Sequence, residues 1–93
     1  MEKDKVYRKN KDIVSREIDD EMILMPIYRT NKEINKMYTL NETAKAMWDM
    51  IDGKSSLKRI TDRLCEIYNA PRERIETDLS GLIKDLKEIK AIE

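Results

Sequence analysis

A strand signal runs directly into a helix start at Leu40-Asn41-Glu42-Thr43-Ala44, and this junction limits the folds open to the chain. Leu40 closes a short alternating segment. Asn41 is a strong helix N-cap, because its side-chain oxygen can accept from an otherwise unpaired amide of the first turn. Ala44, Met47, Trp48 and Ile51 then recur at i, i+3, i+4 and i+7, one apolar face of a helix of about three turns. Trp48 at this spacing reads as core rather than as a stacking platform. Asp52-Gly53 reads as the stop, since glycine enters the left-handed conformation of a helix C-cap without steric cost.

Extended runs precede the junction. Ile13, Val14 and Ile18 are strand formers, Asp19-Asp20-Glu21 is a polar interruption, and Met22 to Ile27 is a second apolar run, so a β-hairpin is expected. The turn lacks Asn-Gly or Asp-Gly, which predicts a loop longer than two residues. Three successive acids with no further ligands nearby do not enclose a metal. Pro26 sits where a missing amide is tolerated, at a strand end. Arg29 to Glu33 reads as a polar connection through Thr30-Asn31-Lys32. The third run, Ile34 to Leu40, sets Ile34, Lys36, Tyr38 and Leu40 on one face and Asn35, Met37 and Thr39 on the other. Because Leu40 feeds the core helix, the Tyr38 and Leu40 face is expected to point inward. A half-polar strand of this kind suits a sheet edge, whose free backbone groups can accept another chain.

Two helices are expected after Gly53. Ser55 or Ser56 can cap the first, in which Leu57, Ile60, Leu64, Ile67 and Tyr68 recur at three- and four-residue steps. Asn69-Ala70 breaks the pattern, and Pro71 opens the second in the first-turn position that proline accepts. Ile75, Leu79, Leu82, Ile83, Leu86 and Ile89 give that helix an unusually wide apolar side. Ile83 lies one step beyond the main stripe, where it either widens the core contact or lines a groove. Gly81 weakens the helix by about 1 kcal/mol relative to alanine; either it admits another backbone or it is simply tolerated. The order of elements gives an α+β domain, a three-stranded antiparallel sheet followed by three helices on one side of it.

Composition narrows the function. A chain of 93 residues holds one small core. Its 19 basic and 19 acidic side chains balance, so no global field favours nucleic acid or an anionic membrane. No apolar run approaches the ~20 residues of a membrane span, and the charged N-terminus lacks a signal peptide's apolar segment, so a cytoplasmic protein with no membrane partner is expected. With no histidine and one cysteine, Cys65, neither a typical zinc site nor a Cys–His nucleophile can be assembled. Asp19, Asp20 and Asp78 are not spaced as an acid–base pair, and no glycine-rich phosphate loop is present. No enzyme activity and no cofactor are expected. Residues 1–11, mostly charged with only Val6 and Tyr7 to anchor them, read as a mobile arm ahead of a domain spanning 12–93.

The run Tyr38 to Ala44, then Met47-Trp48, Ile51-Asp52-Gly53, Ser56, Ile60, Leu64, Tyr68, Asp78-Leu79, Leu82-Ile83 and Leu86 resembles the PqqD family. These are peptide recognition elements of ribosomally synthesised, post-translationally modified peptide pathways. The resemblance covers about Ile13 to Ile92. The family often has glycine in its hairpin turns and a Gly-Leu-Ile-like ending, where this chain has Asp19-Asp20-Glu21, Thr30-Asn31-Lys32 and Lys90-Ala91-Ile92. The resemblance implies a winged-helix-like domain that binds the leader of a precursor peptide and presents it to a modifying enzyme, often a radical S-adenosylmethionine protein. It further implies that the leader adds a strand at Ile34, Asn35, Lys36, Met37, Tyr38 and Thr39. The groove wall would then come from Ile75, Asp78, Leu79, Leu82, Ile83 and Leu86. Met37 reads either as an adaptable peptide contact or as a core filler.

Two other classes compete. A DNA-binding winged helix has a similar element order, but the stretch from Arg72 to Glu88 sets Arg72, Arg74, Lys84 and Lys87 against Glu73, Glu76, Asp78, Asp85 and Glu88, whereas phosphate binding needs a basic stripe. A small assembly subunit would use the open sheet edge to form a homodimer.

Overall fold

The computed structural model describes residues 2–26 and 37–93. Ile13–Ile18 (β1) and Glu21–Pro26 (β2) form an antiparallel hairpin with Ile18 opposite Glu21 and Ile13 opposite Pro26. Asp19 and Asp20 alone connect them, a tighter turn than the expected loop. Asp19 allows it by taking φ +56, a left-handed backbone that aspartate tolerates better than most residues because its short carboxylate bonds locally.

Tyr38–Leu40 (β3) pairs antiparallel with β2, placing Met22 opposite Leu40, Ile23 opposite Thr39 and Leu24 opposite Tyr38. The strand order β1-β2-β3 leaves β3 at an edge. The two-residue period turns Met22, Leu24 and Leu40 into the core, with Tyr38 half-buried beside them, while Thr39 is exposed. Ile27, the connection from Arg29 to Glu33, and Ile34 to Lys36 lie outside the described residues.

Only Asn41 separates β3 from the helix Glu42–Asp49 (α1), and its Oδ1 accepts from the Ala44 amide at 2.9 Å. The helix ends before Gly53. Met50 and Ile51 donate to the Met47 and Trp48 carbonyls at 3.1 Å, bonds three residues back that tighten the last turn and satisfy its free acceptors. Gly53 still takes a left-handed backbone, φ +78, but in the link to the next helix, where its amide donates to the Tyr7 carbonyl at 3.0 Å.

Leu57–Tyr68 (α2) is capped by Ser56, whose Oγ accepts from the Arg59 amide at 3.2 Å, and ends at Asn69 in the left-handed region. Leu57, Ile60 and Leu64 are buried as the spacing requires. Thr61 completes their face, its hydroxyl donating to the Leu57 carbonyl at 2.8 Å. Ile67, expected on that face, is therefore turned outward and 54% exposed.

Arg72–Glu88 (α3) follows Pro71 directly. Beyond it the Ala91 amide donates to the Leu86 carbonyl at 2.8 Å and the Lys90 amide to the Lys87 carbonyl at 3.1 Å. This is the Schellman pattern, with Lys90 at φ +58 in the place usually given to glycine. Helix α1 packs on β2, β3 and α3, and α2 packs on α3, so one core lies between the sheet and the helices. The architecture is the expected α+β one, to which the winged-helix description applies loosely.

Residues 2–11 do not form a free arm. Tyr7 is buried in the core at 7% exposure. The Lys5 and Lys3 carbonyls accept from the Leu57 and Lys58 amides at 2.9 and 3.0 Å, capping two donors of α2 that a helix start leaves unpaired. Arg8 and Glu93 exchange backbone bonds at 3.0 and 2.9 Å, and Asn10 donates to the Ala91 carbonyl at 2.8 Å. Lys9 adds its ammonium 4.8 Å from the Trp48 ring centre. The charged side chains that suggested an arm point outward, while the backbone beneath them straps the helices to the C-terminal tail.

Candidate functional site

An open strand edge is the starting point. Among the described residues β3 pairs on one side only, with β2, so its other side presents unpaired backbone donors and acceptors. A cavity of about 460 Å³ lies between β3, the start of α1 and α3. Tyr38 and Asn41 contribute from the strand end, and Thr43, Ala44 and Met47 from α1. One face of α3 supplies the far wall, through Arg74, Thr77, Asp78, Gly81, Leu82 and Asp85. These positions fall at i, i+3, i+4, i+7, i+8 and i+11, a single helical face.

Gly81 is the notch in that wall. A Cβ built there would meet nothing within 4 Å, so its absence relieves no crowding inside the domain. What the glycine provides is room on the groove side. At the strand end, the Tyr38 hydroxyl donates to Asp85 Oδ2 at 2.7 Å, tying β3 to α3. Burial, the hydrogen bond to Asp85 and the nearby carboxylate charge push the Tyr38 phenol up to about 12.

The sequence-expected residues do not all share one place. Met37, 66% exposed, and Thr39, also exposed, flank Tyr38 at the open edge. Asp78 and Leu82 line the groove. Ile75, Leu79 and Leu86 are instead core residues, because α3 turns that stripe into the hydrophobic cluster, where the helix packs against α1 and α2. Ile83 is buried as well and lines a separate cavity of about 480 Å³ with Tyr7 and Leu57, on the side of α3 where the N-terminal strap runs. Ile34, Asn35 and Lys36 lie outside the described residues. Sequence reasoning passed over Arg74, Thr77 and Asp85 because a groove wall here is polar, and a polar helix position carries no periodic signal that separates it from solvated surface. Gly81 was the visible hint.

Other chemistry is thinly represented. Among the described residues no group of three or more His, Cys, Asp or Glu side chains is placed to hold a metal ion, and no helix is long and apolar enough to cross a membrane. Cys65 is a half-buried free thiol.

Comparison with known proteins bears on the same region. The chain is similar to TbiB1 in a solved structure of its complex with the TbiA(beta) leader peptide, at 22% sequence identity, a TM-score of 0.77, and coverage of 92% of this chain and 94% of that one. That likeness is one of fold. No curated protein matches the sequence. The family model described as "Coenzyme PQQ synthesis protein D (PqqD)" matches residues 21–92, from the start of β2 to the tail beyond α3. Sheet edge, groove and helical core all fall inside the match, and the chain belongs to the PqqD family.

Proposed function

We propose that the protein is a non-catalytic adaptor that binds the leader segment of a ribosomally made precursor peptide and presents it to a modifying enzyme, a radical S-adenosylmethionine protein in the first instance. The observation that carries this reading is the juxtaposition of a strand edge at Tyr38–Leu40, unpaired among the described residues, with a groove notched at Gly81. Strand addition takes affinity from main-chain hydrogen bonds and specificity from pockets that receive alternate side chains of the guest. An extended guest on β3 would find both, its backbone against the strand and one set of side chains over Gly81 and Leu82. Family membership supports the same role, as does the leader peptide bound by TbiB1 on the shared fold. The adaptor's contribution is concentration: a substrate held on a domain that also docks the enzyme reacts as though intramolecular.

The test is calorimetric titration with a synthetic leader of the precursor peptide encoded beside the gene. Saturable binding that is lost in both Met37→Pro, which would interrupt the proposed ladder, and Gly81→Trp, which fills the notch, supports the proposal. Absence of binding to the wild type, in a sizing run that shows a monomer, overturns it; a dimer would instead place a second copy on the same edge.

A further inference from the structure

Backbone pairing alone does not tell a strand edge which guest to take or which way round to take it. Side chains along the groove must do so, and the charges on this wall are ordered. Arg74 stands at one end, Asp78 follows one turn later, and Asp85 lies at the other end beside Tyr38. At about 1.5 Å per residue, Arg74 and Asp85 are separated by roughly 16 Å along the axis, about five residues of an extended guest.

These groups are also free to act on a guest. Among the described residues the Arg74 and Asp78 side chains are exposed and make no ion pair or hydrogen bond, whereas the neighbouring Arg72 is engaged by Asp62 and Glu76. Asp85 is held in place by the Tyr38 hydroxyl on Oδ2, which leaves Oδ1 as an oriented acceptor. A fixed acceptor loses little side-chain freedom when a guest arrives. Docking a strand would shield all three from water, where charge complementarity discriminates more strongly than at open surface.

Resting on the leader-binding reading above, we infer that the Arg74–Asp78–Asp85 order is the specificity element of the groove. It selects an extended peptide with a basic side chain against Asp78 and Asp85 and an acidic one toward Arg74, and so fixes the guest's direction.

The experiment is selection of a displayed library of random linear peptides on three immobilised proteins: wild type, the double variant Arg74→Glu/Asp78→Lys, and Gly81→Trp. Wild-type binders lost on Gly81→Trp should carry Lys or Arg on one side of a central segment and Asp or Glu on the other. They should bind the double variant roughly tenfold more weakly, and peptides with the two charges exchanged should regain that loss. Groove-dependent binders with no charge order, and equal affinity for the double variant, overturn this inference and leave leader binding standing. A wild-type selection that yields no binder sensitive to Gly81→Trp overturns the groove as a peptide site, and this inference with it.

Discussion

The Tyr38 hydroxyl reaches Asp85 Oδ2 at 2.7 Å across forty-seven residues of sequence, and this bond joins the edge strand to the helix that walls the groove. It holds the two sides of the proposed site at a fixed spacing. It also gives Tyr38 an acid–base behaviour that sets it apart from an exposed tyrosine.

Because burial and the Asp85 carboxylate raise the Tyr38 phenol from 10.0 to about 12, the folded state keeps its proton where the unfolded chain would lose it. The stabilisation is fully present below about pH 10 and is lost as pH rises through about 12. Alkaline titration by tyrosinate absorbance should show one tyrosine ionising last, and Asp85→Asn should bring it part of the way down, since burial, the larger cause, remains. A titration curve identical in wild type and Asp85→Asn would contradict the bond.

Gly81 offers a test in which stability and binding move in opposite directions. Gly81→Ala should stabilise the helix by about 1 kcal/mol, because the new Cβ meets nothing and the helix gains propensity. Leader affinity should fall in the same variant if a guest enters the notch. Chemical denaturation and titration of one preparation measure both; a stabilised variant with unchanged affinity would place the guest away from Gly81.

Lys90 and Gly53 form a contrasting pair. Lys90 pays a left-handed backbone at φ +58, so Lys90→Gly should stabilise the domain by about 1 kcal/mol and raise its melting temperature by roughly 4–8 °C. Gly53→Ala should destabilise, because φ +78 is strained for alanine and its Cβ would lie 3.2 Å from Arg8 Cγ. Thermal melts of the two variants moving in the same direction would contradict this account of the two turns.

The N-terminal strap predicts a large effect from a residue in a charged tail. Tyr7→Ala should cost about 3 kcal/mol, the usual penalty for emptying a buried aromatic site. Urea denaturation gives the number, and a loss below about 0.5 kcal/mol, typical of surface positions, would return residues 2–11 to the status of a free arm.

Much of the fold was legible because it rests on side chains with strong local preferences. The Asn41 cap, the serine cap that falls at Ser56 rather than Ser55, the Met47–Trp48 face and the inward Tyr38 and Leu40 face all follow from cap chemistry and periodicity. The strap was not legible, because its bonds run through the backbone carbonyls of Lys3 and Lys5 and the amide of Arg8, and main-chain groups are the same in every residue. The tight turn at Asp19 escaped for a related reason: aspartate enters the left-handed region without announcing it as glycine does. In the groove, the family resemblance pointed to Ile75, Leu79 and Leu86, which are apolar because they pack the core. Besides the expected Asp78 and Leu82, the wall facing outward includes Arg74, Thr77 and Asp85, whose types fit solvated helix surface equally well.

The most direct measurement of the central claim is a residue-resolved amide NMR titration of the whole chain with the leader peptide. Binding by strand addition predicts saturable shifts at Met37, Tyr38 and Thr39 and along Arg74 to Asp85, together with new protection from hydrogen exchange at edge amides of β3. Shifts confined to the opposite flank of α3, around Tyr7, Leu57 and Ile83, with the β3 amides unchanged, would contradict it.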